Sequence, residues 1–306
     1  MLCSMRARTW ERTHTFHHRS YPVERLAGAR ELSVSICLPA RNEARTIGRI
    51  LAQLVPLSER GAVDQIVVVD RSSDDTATIA RGFGVEVYDQ EQLAPELGPV
   101  LGKGDAMWRA LPVLSGDVVC FLDADSEQFG GHFACGLLGP LLCERRIAFV
   151  KGFYRRPFRV GELTLPEEGG RVTELTARPL INLFYPELSA IRQPLAGEIA
   201  ARRELLEQLP FVTGYGVDIA LLLDAYRLVG LGGLAQVDLD VRQNAHQPLR
   251  ALGPMAYAVL RAVAARLERE GRLRSPLSPA LFGGIEAGAH DAHTERPPRA
   301  SLRAAA

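Results

Sequence analysis

Lysine is almost missing from this chain of 306 residues. Lysine and arginine together number 36, yet only Lys103 and Lys151 are lysines. A single arginine therefore carries little functional information, whereas either lysine stands out. The formal net charge is zero, so no global field recruits nucleic acid or an anionic membrane. No apolar run approaches the ~20 residues needed to span a bilayer. Residues 1–30 are polar and rich in Arg and His, without the apolar core of a signal peptide. The five cysteines (Cys3, Cys37, Cys120, Cys135, Cys143) form no C-x-x-C pair, which argues against a disulfide or zinc framework and for a reducing cytoplasm. The glycine-rich fingerprints of dehydrogenases and P-loop enzymes are missing too, because the first apolar strand runs into L-P-A-R-N-E-A-R. A nucleotidyltransferase would carry a Gly-rich loop at that place. A membrane polysaccharide synthase would need spanning helices and a Q-x-x-R-W element.

What is present alternates. S-V-S-I-C-L-P (33–39), Q-I-V-V-V-D (65–70), V-E-V-Y (85–88) and D-V-V-C-F-L-D (117–123) read as strands, separated by helical patterns over 44–56, 74–82 and 102–114. Continuous apolar strands alternating with helices predict an α/β fold with a mostly parallel, Rossmann-like sheet flanked by helices. In such sheets ligands bind beyond the carboxyl ends of the strands. Three of these ends are chemically loaded: P-A-R-N-E (39–43), D-R-S-S-D-D (70–75) and D-A-D (123–125). The second half reads as a strand at 147–154, a flexible loop at 162–171, helices near 173–184, 200–208 and 216–229, a strand at 235–241 and a helix at 255–270. The expected organisation is an uninformative extension (1–30), a nucleotide-sugar half (31–145), an acceptor half of the same domain (146–274) and a mobile Pro/Gly/Ala/Arg-rich tail (275–306).

The D-A-D motif closes an apolar strand with two carboxylates on one side, ~6.7 Å apart along an extended backbone. Buried carboxylates are costly unless paired, hydrated or bound to a cation, and Mg²⁺ prefers one or two carboxylates plus substrate phosphates. A solvated strand end or helix cap is the plain alternative. G-K-G-D (102–105) opens a helix whose glycines allow close approach of an anion, with Lys103 adding a compact charge. In P-A-R-N-E, Asn42 is expected at a helix N-cap with Glu43 in or beside the first turn. Arg155 and Arg156 read as surface charges. Gly170, Arg171 and Thr173 precede a helix and could receive a phosphate or carboxylate. G-Y-G-V-D and V-R-Q-N-A-H-Q-P add Tyr215, Asp218, Arg242, Asn244 and His246.

Together these residues make the chain resemble a GT-A glycosyltransferase, and more narrowly the actinobacterial-type glucosyl-3-phosphoglycerate synthases and their mannosyl relatives. The resemblance runs from about residue 33 to 270. It rests on the ordered series L-P-A-R-N-E, G-K-G-D-A-M-W-R, D-A-D, V-K-G-F-Y-R-R-P, G-G-R-V-T-E-L-T-A-R-P-L, Q-P-L-A-G-E, P-F-V-T-G-Y-G-V-D and V-R-Q-N-A-H-Q-P-L. It implies transfer of glucose or mannose from UDP-glucose, GDP-mannose or GDP-glucose to the 2-hydroxyl of 3-phosphoglycerate, with retention, Mg²⁺ or Mn²⁺, and a homodimer. Residue by residue, it implies donor contacts from Pro39, Ala40, Arg41, Glu43, Asp70, Arg71, Ser72, Lys103, Asp123 and Ala124. Acceptor contacts are implied for Gly170, Arg171, Thr173, Tyr215, Arg242 and Asn244, metal ligation for Asp125 and His246, and catalytic roles for Asp125, Asp218 and Lys103. The chain departs from the family in having Asp218 where Glu is common and Asn244-x-His246 where H-x-N is usual, which leaves either residue as the metal's nitrogen or oxygen donor. A different acceptor, or sugar-nucleotide binding without turnover, are the alternative functions.

Overall fold

The computed structural model describes residues 2–29, 31–160, 163–165, 169–243, 247–273 and 294–303. Twelve strands are present among them: β1 (Thr15–His17), β2 (Val34–Ala40), β3 (Gln65–Asp70), β4 (Glu86–Asp89), β5 (Val118–Phe121), β6 (Phe149–Arg155), β7 (Phe158–Val160), β8 (Leu163–Leu165), β9 (Ile199–Arg202), β10 (Phe211–Val212), β11 (Leu234–Val241) and β12 (Glu295–Arg296). Eight of these make one sheet in the order β1-β11-β6-β9-β5-β2-β3-β4. All neighbours pair in parallel except β9, which runs antiparallel between β5 and β6.

The sheet is a two-sided core. On one face Ile36, Leu38, Val68 and Cys120 pack with Leu51 and Leu54 of helix Ile47–Glu59 and with Leu137 and Leu138 of helix His132–Cys143. On the other, Cys37, Val67 and Phe121 pack with Met107, Trp108, Leu221 and Leu222. Burial on both faces is why β2, β3 and β5 read as unbroken apolar runs rather than alternating ones.

The topology decides where the polar ends go. Strands β2, β3 and β5 end at one edge of the sheet, and β6 and β11, parallel to them, end there too. Because β9 runs the other way, its beginning reaches that same edge, delivering Gly197 and Glu198. Residues 200–202, expected in a helix over 200–208, therefore belong to the central antiparallel strand, and only Arg203–Leu206 is helical. Ala200 and Ala201 are fully buried, and pairing on both sides outweighs the strong helix preference of Ala.

Three further expectations change. The amino-terminal extension is part of the fold: Trp10 is buried with its Nε1 donating to Leu231 O at 2.8 Å, and β1 forms an edge of the sheet. The stretch 162–171 is not simply a loop, because β8 pairs antiparallel with β7. Within the carboxyl-terminal tail, residues 274–293 lie outside the described residues, but β12 pairs with β10. Beyond that pairing, Arg296 bonds both oxygens of the fully buried Asp105 at 2.7 and 3.0 Å, and Arg299 lies 3.4 Å over the Trp108 ring. The end of the chain thus straps the helix Lys103–Ala110.

Candidate active site

A cavity of about 580 Å³ opens where the strand ends meet. Its walls include Pro39, Ala40, Arg41 and Glu43 after β2, Arg71 after β3, and Asp123, Ala124 and Asp125 after β5. Lys103, Tyr215, Asp218 and Arg242 complete it. An adjoining cavity of about 500 Å³ takes in Arg41, Asp70, Arg71 and Ser72. The loops from three strands therefore do meet in one place, as the sheet rule requires.

The β2 loop does not start its helix as expected. Asn42 sits in the left-handed region (φ 59°) and the helix begins only at Ile47, with Thr46 preceding it. Asn42 instead braces the neighbouring loop: its Oδ1 accepts from Ser73 N at 2.9 Å, and its own N–H donates to Ser72 Oγ at 2.7 Å. Ser72 Oγ in turn donates to Asp70 at 2.5 Å. Thr46 Oγ1 donates to Ala124 O at 2.6 Å, tying the β2 loop to D-A-D.

Lys103 stands at the first position of its helix, and the flanking glycines serve packing as well as access. A Cβ on Gly104 would lie 1.9 Å from Val212 O, and one on Gly102 2.8 Å from Thr213 O. The Lys103 ammonium lies 2.7 Å from Asp123 and 3.4 Å from Asp218. Burial alone would make it a weaker base, but Asp123 and then Asp218 outweigh that and raise its pKa. Asp123 is held well below the usual carboxylate range against its burial, by Lys103 and Arg242, and stays ionised. Asp218 is pushed up by burial, with Lys103 opposing.

Arg242, for which the resemblance implies an acceptor contact, lines the cavity and is clasped by carboxylates: Asp123 at 3.0 Å, Asp125 at 2.7 Å and Glu198 at 2.5 Å. Burial raises the Glu198 pKa despite Arg242. Glu198 was not singled out from sequence, nor was the burial of Lys151, which donates to Ala196 O at 2.7 Å and Asp218 O at 3.2 Å. The scarcity of lysine was the only available signal for Lys151. For Glu198 there was none beyond its place in Q-P-L-A-G-E. A Cβ on Gly197 beside it would sit 2.4 Å from the Lys103 ammonium and 2.3 Å from Asp123 Oδ2, so a side chain there would displace that ion pair. Arg156 lines the cavity instead of facing solvent, while Arg155 is exposed.

The expected acceptor residues Gly170, Arg171 and Thr173 stand one layer behind the wall. A Cβ on Gly170 would touch Arg156 at 3.6 Å, and Arg171 donates to Gln247 O at 2.5 Å, with Arg156 and Gln247 on the cavity. Asn244 and His246 lie outside the described residues, so Asp125 is the one described member of the expected metal pair.

The donor set around Asp125 fits a hard dication. Its side chain is half exposed at the cavity. The nearby Glu43 carboxyl is raised first by burial and then by Asp125, with Asp74 and Asp123 adding to it. Glu43 and Asp125 thus bring two carboxylates to the same wall of the cavity. Among the described residues, the one group of His and carboxylate atoms spaced for a metal is elsewhere, at His17, His18 and Asp240. There Asp240 Oδ2 lies 2.8 Å from His18 Nε2 and accepts from Arg19 Nη2 at 3.4 Å. The cluster is a hydrogen-bonded carboxylate rather than a metal cage.

Comparison with known proteins agrees with this arrangement. Residues 35–134 match the family described as Glycosyl transferase family 2. The chain is 42% identical over 266 residues to the glucosyl-3-phosphoglycerate synthase of Petrotoga mobilis, covering 85% of this chain and 82% of that protein. A crystal structure of mannosyl-3-phosphoglycerate synthase from Rubrobacter xylanophilus superposes with a TM-score of 0.86 at 45% identity, covering 97% of this chain and 98% of the other. Glucosyl-3-phosphoglycerate synthase from Mycobacterium tuberculosis, in complex with Mn²⁺, UDP-glucose and phosphoglyceric acid, gives 0.79 at 39% identity over 95% and 99%. With the acidic strand end, the lysine-bearing helix and the sheet order all in place, the chain belongs to the glucosyl- and mannosyl-3-phosphoglycerate synthase family of glycosyltransferases.

Proposed function

We propose that this protein transfers a hexose from a nucleoside diphosphate sugar to the 2-hydroxyl of 3-phosphoglycerate, with retention at the anomeric carbon. The observation that carries this reading is the convergence of Lys103, Asp123, Asp125 and Asp218 on one cavity at the carboxyl edge of the sheet. Asp125 would hold a divalent cation, Mg²⁺ or Mn²⁺, which as a Lewis acid offsets charge on the departing diphosphate. Lys103 adds a fixed positive charge, and a preorganised cation in a water-poor cavity is worth more than in bulk water. Asp123 acts by holding two cations, Lys103 and Arg242, in register. The nucleoside fits the β2–β3 side, where Arg41, Asp70, Arg71 and Ser72 line the adjoining cavity. The acceptor's anionic groups fit the opposite side, approached by Arg156, with Arg171 behind it.

Retention needs either a carboxylate nucleophile or attack from the face the leaving group departs. Asp123, Asp218 and Glu198 are each engaged by Lys103 or Arg242. That favours front-side attack, with the acceptor hydroxyl's proton passing to the departing phosphate oxygen.

Mannose is a second reading for the hexose, favoured by the higher identity and TM-score to the mannosyl enzyme than to the mycobacterial glucosyl complex. Mass spectrometry after incubation of 3-phosphoglycerate with UDP-glucose, GDP-glucose or GDP-mannose and Mg²⁺ or Mn²⁺ decides among them. No hexosyl product with any donor refutes the transferase reading. The exposed Leu175, Leu183 and Leu249 lie on helical segments that pack together and support a homodimer contact. A monomer by light scattering would remove it. Buried, unpaired Cys37, Cys120 and Cys135 suit the cytoplasm, where thiols stay reduced.

A further inference from the structure

Arg242 is 3% exposed, yet it is surrounded by more acid than one cation needs. One terminal nitrogen (Nη1) lies against Asp123 Oδ2 (3.0 Å), Glu198 Oε1 (2.5 Å) and the Tyr154 hydroxyl (2.8 Å). The Nε donates to Ser126 Oγ at 3.0 Å, and the guanidinium lies 5.4 Å from the centre of the Tyr154 ring. Of these partners Glu198 and Ser126 are buried off the cavity, while Asp123 and Tyr154 also reach its wall. The other terminal nitrogen (Nη2) donates to Asp125 Oδ1 at 2.7 Å, the one partner that is half exposed to the cavity. The guanidinium therefore has a fixed inner grip and one outer bond, and the outer bond is to the carboxylate assigned to the dication.

We propose that Arg242 is the resident counter-ion of the acidic pair, competing with the dication for Asp125 and thereby setting metal affinity. This rests on the reading of Asp125 as metal ligand. Without a dication, Asp123, Asp125 and Glu198 would crowd like charges at the strand end, where Lys103 pairs with Asp123 and Arg242 with all three. When a dication takes Asp125, the guanidinium keeps Asp123, Glu198 and Tyr154 and gives up only its outer bond. Glu198 is then the tether: the more firmly it holds Arg242 inward, the more readily Asp125 is released. Lysine cannot replace this function, because an ammonium is a point charge while the guanidinium forks between two partners.

The test is Mn²⁺ binding by calorimetry to the full chain with saturating UDP. Wild type is compared with Arg242→Lys, Glu198→Gln and Asp125→Asn. Arg242→Lys keeps the charge but not the fork, so Mn²⁺ is expected to bind about ten-fold tighter. Glu198→Gln frees the guanidinium to lean on Asp125, so binding is expected to weaken by a similar factor. In melting experiments, Mn²⁺ should raise the midpoint of Arg242→Lys more than that of wild type, which a merely structural lesion would not do. Variants with wild-type affinity, or both shifted in the same direction, overturn the inference while leaving the metal assignment standing. Should wild type itself bind no Mn²⁺, or Asp125→Asn bind it as well as wild type, the metal assignment falls and this inference with it.

Discussion

The two sides of the cavity satisfy their charges in different ways. On the nucleoside side the polar groups answer to their own loop or to the loop beside it: Ser72 bonds Asp70 two residues away, and Asn42 bonds Ser72 across 30 residues. On the reacting side the partners are far apart in sequence. Lys103 meets Asp218 across 115 residues, and Arg242 meets Asp123 across 119. The first kind of site needs only two adjacent strands, β2 and β3, and the loops that follow them. The second exists only once the whole sheet has closed, and each of its members holds another in place.

Breaking the long-range side should therefore cost most. Replacing Asp125 with Asn is expected to lower kcat by more than about 10³-fold with a native circular dichroism spectrum, measured by product formation at saturating donor. Near-normal turnover would remove Asp125 from the metal. Lys103→Met removes one preorganised cation and should cost about 10²–10³ in kcat, whereas Ser72→Ala on the short-range side should act mainly on donor KM. Equal effects of the two on kcat would erase the distinction drawn here.

The strap sharpens the comparison by acting on Lys103 from behind. Asp105 is fully buried between Arg109 and Arg296, and removing one partner of a buried pair is strongly destabilising. Arg296→Ala should cost about 3 kcal/mol in urea unfolding, with Arg109 left as partial compensation. A change below about 0.5 kcal/mol would show that the strap is dispensable.

The smallest effect is in pH dependence and belongs to Lys151. Burial depresses its pKa to about 8 from the ordinary lysine value of 10.5, with Asp218 partly opposing. Below about pH 8 both folded and unfolded chains hold the proton, and the folded state bears the cost of a buried ammonium. From about pH 8 to 10.5 the folded chain releases it first, the unfolded chain binds more protons, and stability rises. That contribution amounts to about 2 kcal/mol between pH 7 and 10. The difference between wild type and Lys151→Met, followed by urea midpoints across that range, should show it. Parallel curves would place the Lys151 pKa near its ordinary value.

What could be read from the sequence follows the same division. Strands β2, β3 and β5 are legible because burial on both faces writes them as apolar runs, and the edge strand β4 through its β-branched and aromatic V-E-V-Y. The loaded loops at 39–43, 70–75 and 123–125 are legible because they directly follow those runs. Strand β9 is not, since Ile-Ala-Ala-Arg says nothing of the two strands that flank it, and Glu198 goes unread with it. Arg242 was visible as a residue but not as a partner of Asp123, since no local pattern encodes a contact across more than a hundred positions. The strap was missed for a similar reason: Arg296 sits in a Pro- and Arg-rich context whose only structural signal is the buried carboxylate it meets.

The reversed direction of β9 has one more implication. A one-residue slide of that strand against β5 and β6 would turn its side chains to the opposite faces, bringing Gly197 or Ile199 to the place where a carboxylate must meet Arg242. The connection leading into it, 186–196, is mostly irregular in outline, yet its length behaves as a setting rather than as slack.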